Sequence, residues 1–193
     1  MRALFVQQDH VSPTGPVGDR FRHHGYDIVE LLVVPPERFG SPDVTVAFPD
    51  PRDYDVIVPM GAPWSVYDVA TIGSWIGAEM DFLREAHEAG VPVLGICFGG
   101  QALAAALGGS VQRAREPEIG WYAVSSEQPD LVGEGPWRQV KPMETTFYLG
   151  RETLLPTGPS ALATWRKRLF ILMSLYVGVD YILRGFFKIK LFG

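Results

Sequence analysis

The sequence predicts an α/β domain, a mainly parallel sheet with helices on both faces, and two observations point to it. Short apolar runs that read as buried strands alternate with longer segments of helical spacing. Glycine and proline punctuate the joins, as expected for a succession of strand–helix–strand units. The 193 residues, 47% of them hydrophobic, suffice for one domain with a substantial core.

The first strand is Ala3–Gln7. Its apolar run meets polar residues by position 7, too soon for the apolar stretch of a signal peptide, and a cytoplasmic protein is expected. Val11–Gly18 holds two prolines and two glycines and reads as a loop. A short helix over Asp19–His24 then ends at Gly25. Asp27–Val34 is the second strand, apolar almost throughout, a pattern that suits a parallel strand covered on both faces. Five prolines make residues 35–53 an irregular connection, and Tyr54–Pro59 is the third strand. Ile72–Ala89 carries an apolar helical stripe of Trp75, Ile76, Met80, Leu83 and Ala86, closed by Gly90. Val91–Ile96 is the fourth strand, its proline near the start where a missing donor matters least. Phe98–Leu107 is an alanine-rich helix stopped by Gly108-Gly109.

The formal charge of −5 divides unevenly. Residues 1–137 hold eight arginines, no lysine and 19 acidic residues, a net of −11. Residues 138–193 hold nine basic and three acidic residues, a net of +6, and all four lysines (Lys141, Lys167, Lys188, Lys190). All four histidines (His10, His23, His24, His87) lie in the first part. The acidic part gives no reason to expect a nucleic-acid partner. One cysteine in the whole chain excludes an internal disulfide framework and a cysteine-built zinc site, and no metal or cofactor is expected. That thiol is left free to be a nucleophile.

The chemistry concentrates in Val91-Pro-Val-Leu-Gly-Ile-Cys-Phe-Gly-Gly-Gln101. A buried strand runs through Gly95-Ile96-Cys97-Phe98-Gly99 straight into a helix, the arrangement of a nucleophile elbow with cysteine in place of serine. The flanking glycines let the chain double back without Cβ clashes. Cys97 at the helix N-terminus meets unpaired N–H groups and the positive end of the helix dipole, which is expected to lower its pKa. The Phe98 N–H is placed to meet a developing oxyanion. Gln101, four residues on, shares the face of Cys97 and could orient a substrate carrying an amide or carboxylate. The structural alternative is a small buried cysteine among packing glycines. A second segment, Met60-Gly-Ala-Pro-Trp-Ser-Val-Tyr-Asp68, leaves the third strand at the sheet edge where ligands collect. Gly61 would allow close backbone approach and offer a second oxyanion donor, and the plainer reading of this segment is an ordinary turn with a buried Trp64.

These segments, Gly95–Val111 together with residues 60–68, resemble the class I glutamine amidotransferases, nearest to the glutaminase domain of GMP synthase-like members. The likeness runs in order through about residues 1–137 and includes Glu116-Pro-Glu-Ile-Gly-Trp121, similar to the turn and strand after the nucleophile helix. It implies a flavodoxin-like fold and hydrolysis of glutamine to glutamate and ammonia. Cys97 would attack the side-chain amide to form a γ-glutamyl thioester, Gly61 and Phe98 would supply the oxyanion amides, and Gln101 would help hold the glutamine. A separate synthetase could take the ammonia, since these residues include no ATP-binding loop.

The family pattern also calls for a His-Pro-Glu on a late strand, and no histidine follows His87. The related His-x-Asp after Gly135-Pro136-Trp137 is replaced by Arg138-Gln-Val-Lys-Pro-Met-Glu144, where the lysine usage changes. His10 follows the first strand and could share the loop layer of Cys97; for all four histidines a solvated or structural role is the ordinary reading. The chain therefore divides into a front part, 1–137, and a divergent basic, apolar tail, 138–193. In the tail Thr153–Pro159 reads as a loop, and Leu169–Leu183 is a 15-residue apolar run interrupted by Asp180. A spanning helix needs about 20 residues, so an interfacial helix touching a membrane surface, or a helix or strand pair completing the sheet, fits better than a span. Three readings follow: a working amidotransferase, a truncated, frameshifted or fused inactive copy, and a non-enzymatic relative that binds a partner.

Overall fold

The structure, a computed structural model, describes residues 1–124, 137–148 and 169–172. Its main sheet has the order β2-β1-β3-β4-β7, every adjacent pair parallel, formed by Arg2–Gln7 (β1), Asp27–Leu32 (β2), Val56–Pro59 (β3), Val93–Ile96 (β4) and Leu169–Leu172 (β7). Helices Gly15–His23 (α1), Val69–Glu88 (α2) and Phe98–Ala106 (α3) connect the first strands. A second sheet pairs Ser110–Val124 (β5) antiparallel with Trp137–Tyr148 (β6), with a register shift between Arg113 and Glu118. The predicted α/β architecture with a parallel sheet is present.

Alternating side chains of the central strands feed two separate cores. Leu4, Val6, Ile57 and Val93 pack beneath α2 and α3 with Trp75, Leu83, Phe98 and Leu103. Ala3, Phe5, Val56, Val58 and Leu94 face Phe21 of α1 and Tyr26. Both faces of β1 and β3 are thus covered, which explains their unbroken apolar sequence.

Four expectations need correction. The loop assigned to residues 11–18 yields its second half to α1, which begins at Gly15. Pro16 lies in the first turn, where a helix needs no N–H from it. The second strand ends at Leu32 and lies at the sheet edge, where its faces are covered only in part: Val29 and Leu31 pack on one core and Ile28 on the other, and Leu32 is 39% exposed. The long helix begins at Val69, three residues before the expected start, and its buried face contains Glu79 between Trp75 and Phe82. The fourth strand starts at Val93, since Val91 is still bonded to Ala86 O at the end of the preceding helix turn.

In the tail, the first four residues of the apolar run form β7, paired in register from Val93–Leu169 to Ile96–Leu172. Thr153–Pro159 and the remainder of the run, 173–183, lie outside the described residues. Glu116–Trp121 falls wholly within β5, strand throughout rather than the expected turn and strand. Among the described residues no helix is long and apolar enough to cross a membrane.

Candidate active site around Cys97

Cys97 stands where β4 ends and α3 begins, with φ 53° and ψ −111°. It is the one non-glycine residue with positive φ among the described residues. Such a conformation costs about 1–3 kcal/mol and is kept only where the surroundings fix it. Here two glycines fix it. A Cβ on Gly99 would overlap the carbonyl of Pro59, and one on Gly95 would lie 2.7 Å from Gly99 O. The turn is therefore tight enough to press the start of α3 onto the end of β3, and Gly99 N–H donates to Met60 O at 2.9 Å.

That contact brings the two expected oxyanion donors to one place. A Cβ on Gly61 would sit 3.6 Å from Cys97 Cβ and 4.0 Å from Sγ, so the bare Gly61 backbone borders the thiol. On the other side the Phe98 N–H is directed at the Cys97 sulfur. Sulfur, Phe98 amide and Gly61 backbone thus surround one small volume at the carboxyl edge of the sheet, the place where ligands collect in parallel α/β folds.

The thiol itself departs from expectation. Burial pushes the Cys97 pKa up, and the Phe98 N–H offsets this only in part. The helix N-terminus does not win because the sulfur is largely removed from water, and desolvation penalises the thiolate. The resting group is a thiol.

Gln101 is 3% exposed, and its Oε1 accepts the Val66 N–H at 3.2 Å. The side chain ties the loop after β3 to α3. The same loop is closed by Asp68, which accepts the Ser65 N–H at 2.7 Å. Trp64, expected to be buried, is only partly so. Its ring lies 5.9 Å from Trp75, which in turn lies 5.9 Å from Phe98. An aromatic wall therefore backs the Phe98 amide.

The histidines are sorted by topology. α1 and α2 run back from the carboxyl edge, so His23, His24 and His87 at their ends lie toward the amino edge, away from Cys97. Only His10, just beyond β1, belongs to the carboxyl-edge loops; it is exposed, with its ring centre 5.1 Å from that of Phe39 in an edge-to-face arrangement. No group of three or more histidine, cysteine or acidic side chains placed to hold a metal occurs among the described residues.

Sequence reasoning missed a buried polar pair behind this site. Gln8, one residue past β1, and Glu79 of α2 are both fully buried, and Gln8 Nε2 donates to Glu79 Oε1 at 2.7 Å. The signal was present: Glu79 falls in the helical stripe between Trp75 and Phe82, a place for an apolar residue.

The glutamine amidotransferase class-I family model matches residues 22–154, more than half of the chain, and covers β2 through β6 with the Cys97 elbow inside it. The chain belongs to the class I glutamine amidotransferase family. A subunit of the glutamine-hydrolyzing GMP synthase from Sulfurisphaera tokodaii is 37% identical over 84 residues, 44% of this chain and 42% of that protein. The crystal structure of a glutamine amidotransferase from Thermotoga maritima superposes with a TM-score of 0.63 at 26% identity, covering 78% of this chain and 64% of that one. These amidotransferase relatives support the flavodoxin-like reading of the fold. A different relationship accompanies them. Over 52 residues, 27% of the chain, it is 64% identical to a probable potassium transport system protein Kup from Anaeromyxobacter sp. (strain Fw109-5), 8% of that protein's length. The chain thus spans less than half of the GMP synthase relative and a small fraction of the transport protein.

Proposed function

We propose that this amidotransferase-like chain presents the nucleophile half of a glutaminase centre and does not by itself turn over glutamine. The observation that carries the first clause is the convergence of Cys97 Sγ, the Phe98 N–H and the Gly61 backbone on one volume. In the reaction such a site serves, sulfur attacks the side-chain amide carbon and the amide oxygen takes up negative charge against the two backbone donors. The C–N bond then breaks, leaving a γ-glutamyl thioester and ammonia. Gln101 acts as a strut for the oxyanion loop in this reading, since its amide oxygen is already engaged by Val66.

The second clause follows from proton traffic. The thiol proton must leave before attack and a proton must reach the departing nitrogen, which is the work of a general base. With the Cys97 pKa pushed up by burial, that base is needed more than in a site with a ready-made thiolate. Three of the four histidines lie toward the wrong edge of the sheet, and none follows His87. Removing a triad-type base costs several orders of magnitude in rate. A relative named for its part in a GMP synthase supports glutamine as the ligand and a separate synthetase as the ammonia acceptor, were the base supplied.

The test pairs turnover with labelling. The full chain is incubated with L-glutamine and, separately, with a chloroketone analogue of glutamine. The expected result is no glutamate above background and a single label on Cys97. Glutamate release abolished by Cys97→Ala overturns the inactivity; absence of label at Cys97 overturns the nucleophile assignment.

A composite origin is the reading that best accounts for the missing base. We place the transporter-like stretch in the basic tail, whose 56 residues can hold its 52 and whose lysine usage sets it apart from the first 137 residues. An out-of-frame translation would not resemble any protein at 64% identity, so joined coding sequences explain the tail better than a changed frame. A 52-residue stretch within 138–193 starts no later than residue 142, so the join falls within 138–142 and the end of the family match, which runs to 154, overlaps the transporter-like stretch.

A further inference from the structure

Gln8 and Glu79 meet in the apolar layer between the end of β1 and α2, both fully removed from solvent. One hydrogen bond joins them, Gln8 Nε2–H to Glu79 Oε1. Each partner also keeps one buried oxygen without a hydrogen-bond partner, Gln8 Oε1 and Glu79 Oε2. Two orphaned acceptors on two bonded side chains are costly, because each lost its hydration on folding. A single proton removes both defects. Placed on Glu79 Oε2, it makes that atom a donor to Gln8 Oε1, and amide and acid close a ring of two antiparallel hydrogen bonds.

We propose that Glu79 is a neutral carboxylic acid in the folded protein and, with Gln8, forms an acid–amide clasp fastening α2 to the end of β1. The charged groups around it do not offer an alternative. α3 carries no titratable side chain, and neither does β4. The Pro51–Asp53 turn against α2 has Arg52, which bonds Glu85 at 2.7 Å and Asp50 at 3.1 Å at the surface. Arg84 on α2 itself pairs with Asp81. In the loop beyond Gln8, Asp9 accepts from Val11 N–H and Ser12 Oγ–H, and His10 is exposed. Asp43 lies in the strap whose Pro42 carbonyl receives Trp75 Nε1–H, and it is exposed. None of these bonds to Glu79. Burial alone pushes its carboxyl up to about 8, the Gln8 hydrogen bond opposing.

The clasp stands behind the site wall. Glu79 is one helical turn beyond Trp75, whose ring leans on Phe98, so the clasp makes Glu79 a positioning residue for that wall.

The experiment is denaturant unfolding of the full chain and of its Glu79→Gln variant between pH 5 and 7. Glutamine reproduces the proton-bearing acid, since its Nε2 can donate to Gln8 Oε1. In the unfolded chain Glu79 ionises near 4.5 and in the folded protein near 8, so between these values the folded state holds the extra proton. Wild-type stability from this group is therefore full below pH 4.5 and lost as pH rises toward 8. The unfolding constant of wild type relative to Glu79→Gln should rise about tenfold per pH unit across the window. A ratio that does not change with pH means an ionised Glu79 and overturns the proposal. Should that variant fail to fold, the doubly apolar pair Gln8→Met/Glu79→Met, which carries no titratable group at the site, is compared instead. Wild type itself gives a further readout, the infrared carbonyl stretch of a protonated carboxylic acid at pH 7 that persists after transfer to heavy water. Its absence overturns the clasp independently.

Discussion

At Cys97 two opposing effects act on one sulfur atom. The helix N-terminus favours thiolate by a term that falls off within the first turn, whereas burial removes the water that would solvate the charge. Burial is the larger effect here, and the pKa moves up. The sequence displays the elbow and the helix start, but it does not display how deeply the turn is covered by the loop after β3, so the direction of the shift was not legible. The consequence is measurable in the alkylation rate of Cys97 by iodoacetamide as a function of pH. The rate should be lower at pH 7 than for free cysteine and level off at a higher pH than free cysteine in the same series. A plateau below that of free cysteine would show that the dipole and the Phe98 amide outweigh burial.

The elements show which information a one-dimensional pattern carries. β1 and β3, covered on both faces, announced themselves by continuous apolar sequence, and the G-x-C-x-G turn fixed the junction of β4 and α3. β2 carries the same kind of sequence yet lies at the edge, because strand order depends on which strands find partners and no local pattern records that. Gln101 is a related case. Spacing placed it on the face of Cys97, but the group that occupies its amide oxygen is the Val66 N–H, 35 residues upstream. Glu79 is the converse, a charged residue type in an apolar stripe, legible as an anomaly though not as half of a pair with Gln8. Because Gln101 is the cross-link between the loop and α3, its replacement should be felt in the loop. Gln101→Ala leaves the Val66 N–H buried without a partner, at about 1–3 kcal/mol. Hydrogen exchange at Val66 should speed up while amides of β1 stay protected relative to global stability. Equal acceleration at both would mean that the strut serves the whole domain rather than the loop after β3.

At the scale of the molecule the decisive fact is a discontinuity between an acidic, lysine-free part and a basic part that holds every lysine. Class I membership, the Cys97 elbow and the carboxyl-edge site all lie in residues that precede or straddle the break. The general base belongs, by family resemblance, to strands that follow it. Nothing about the first part requires that the proposed site be damaged: its glycines, the strained Cys97 turn and the loop after β3 fit one another, and mutually consistent local features mark a region that still folds as a unit. If so, the inactivity proposed above is a property of the second part alone. Replacing residues 125–193, from the end of β5 onward, with the corresponding segment of the Sulfurisphaera tokodaii GMP synthase relative supplies that part from a protein 37% identical over its matched region. The hybrid should release glutamate from glutamine, and Cys97→Ala in the hybrid should abolish it. A folded hybrid that takes the chloroketone label yet releases no glutamate would place a second defect in the front part, at Gly61, Phe98 or Gln101 rather than at the absent base.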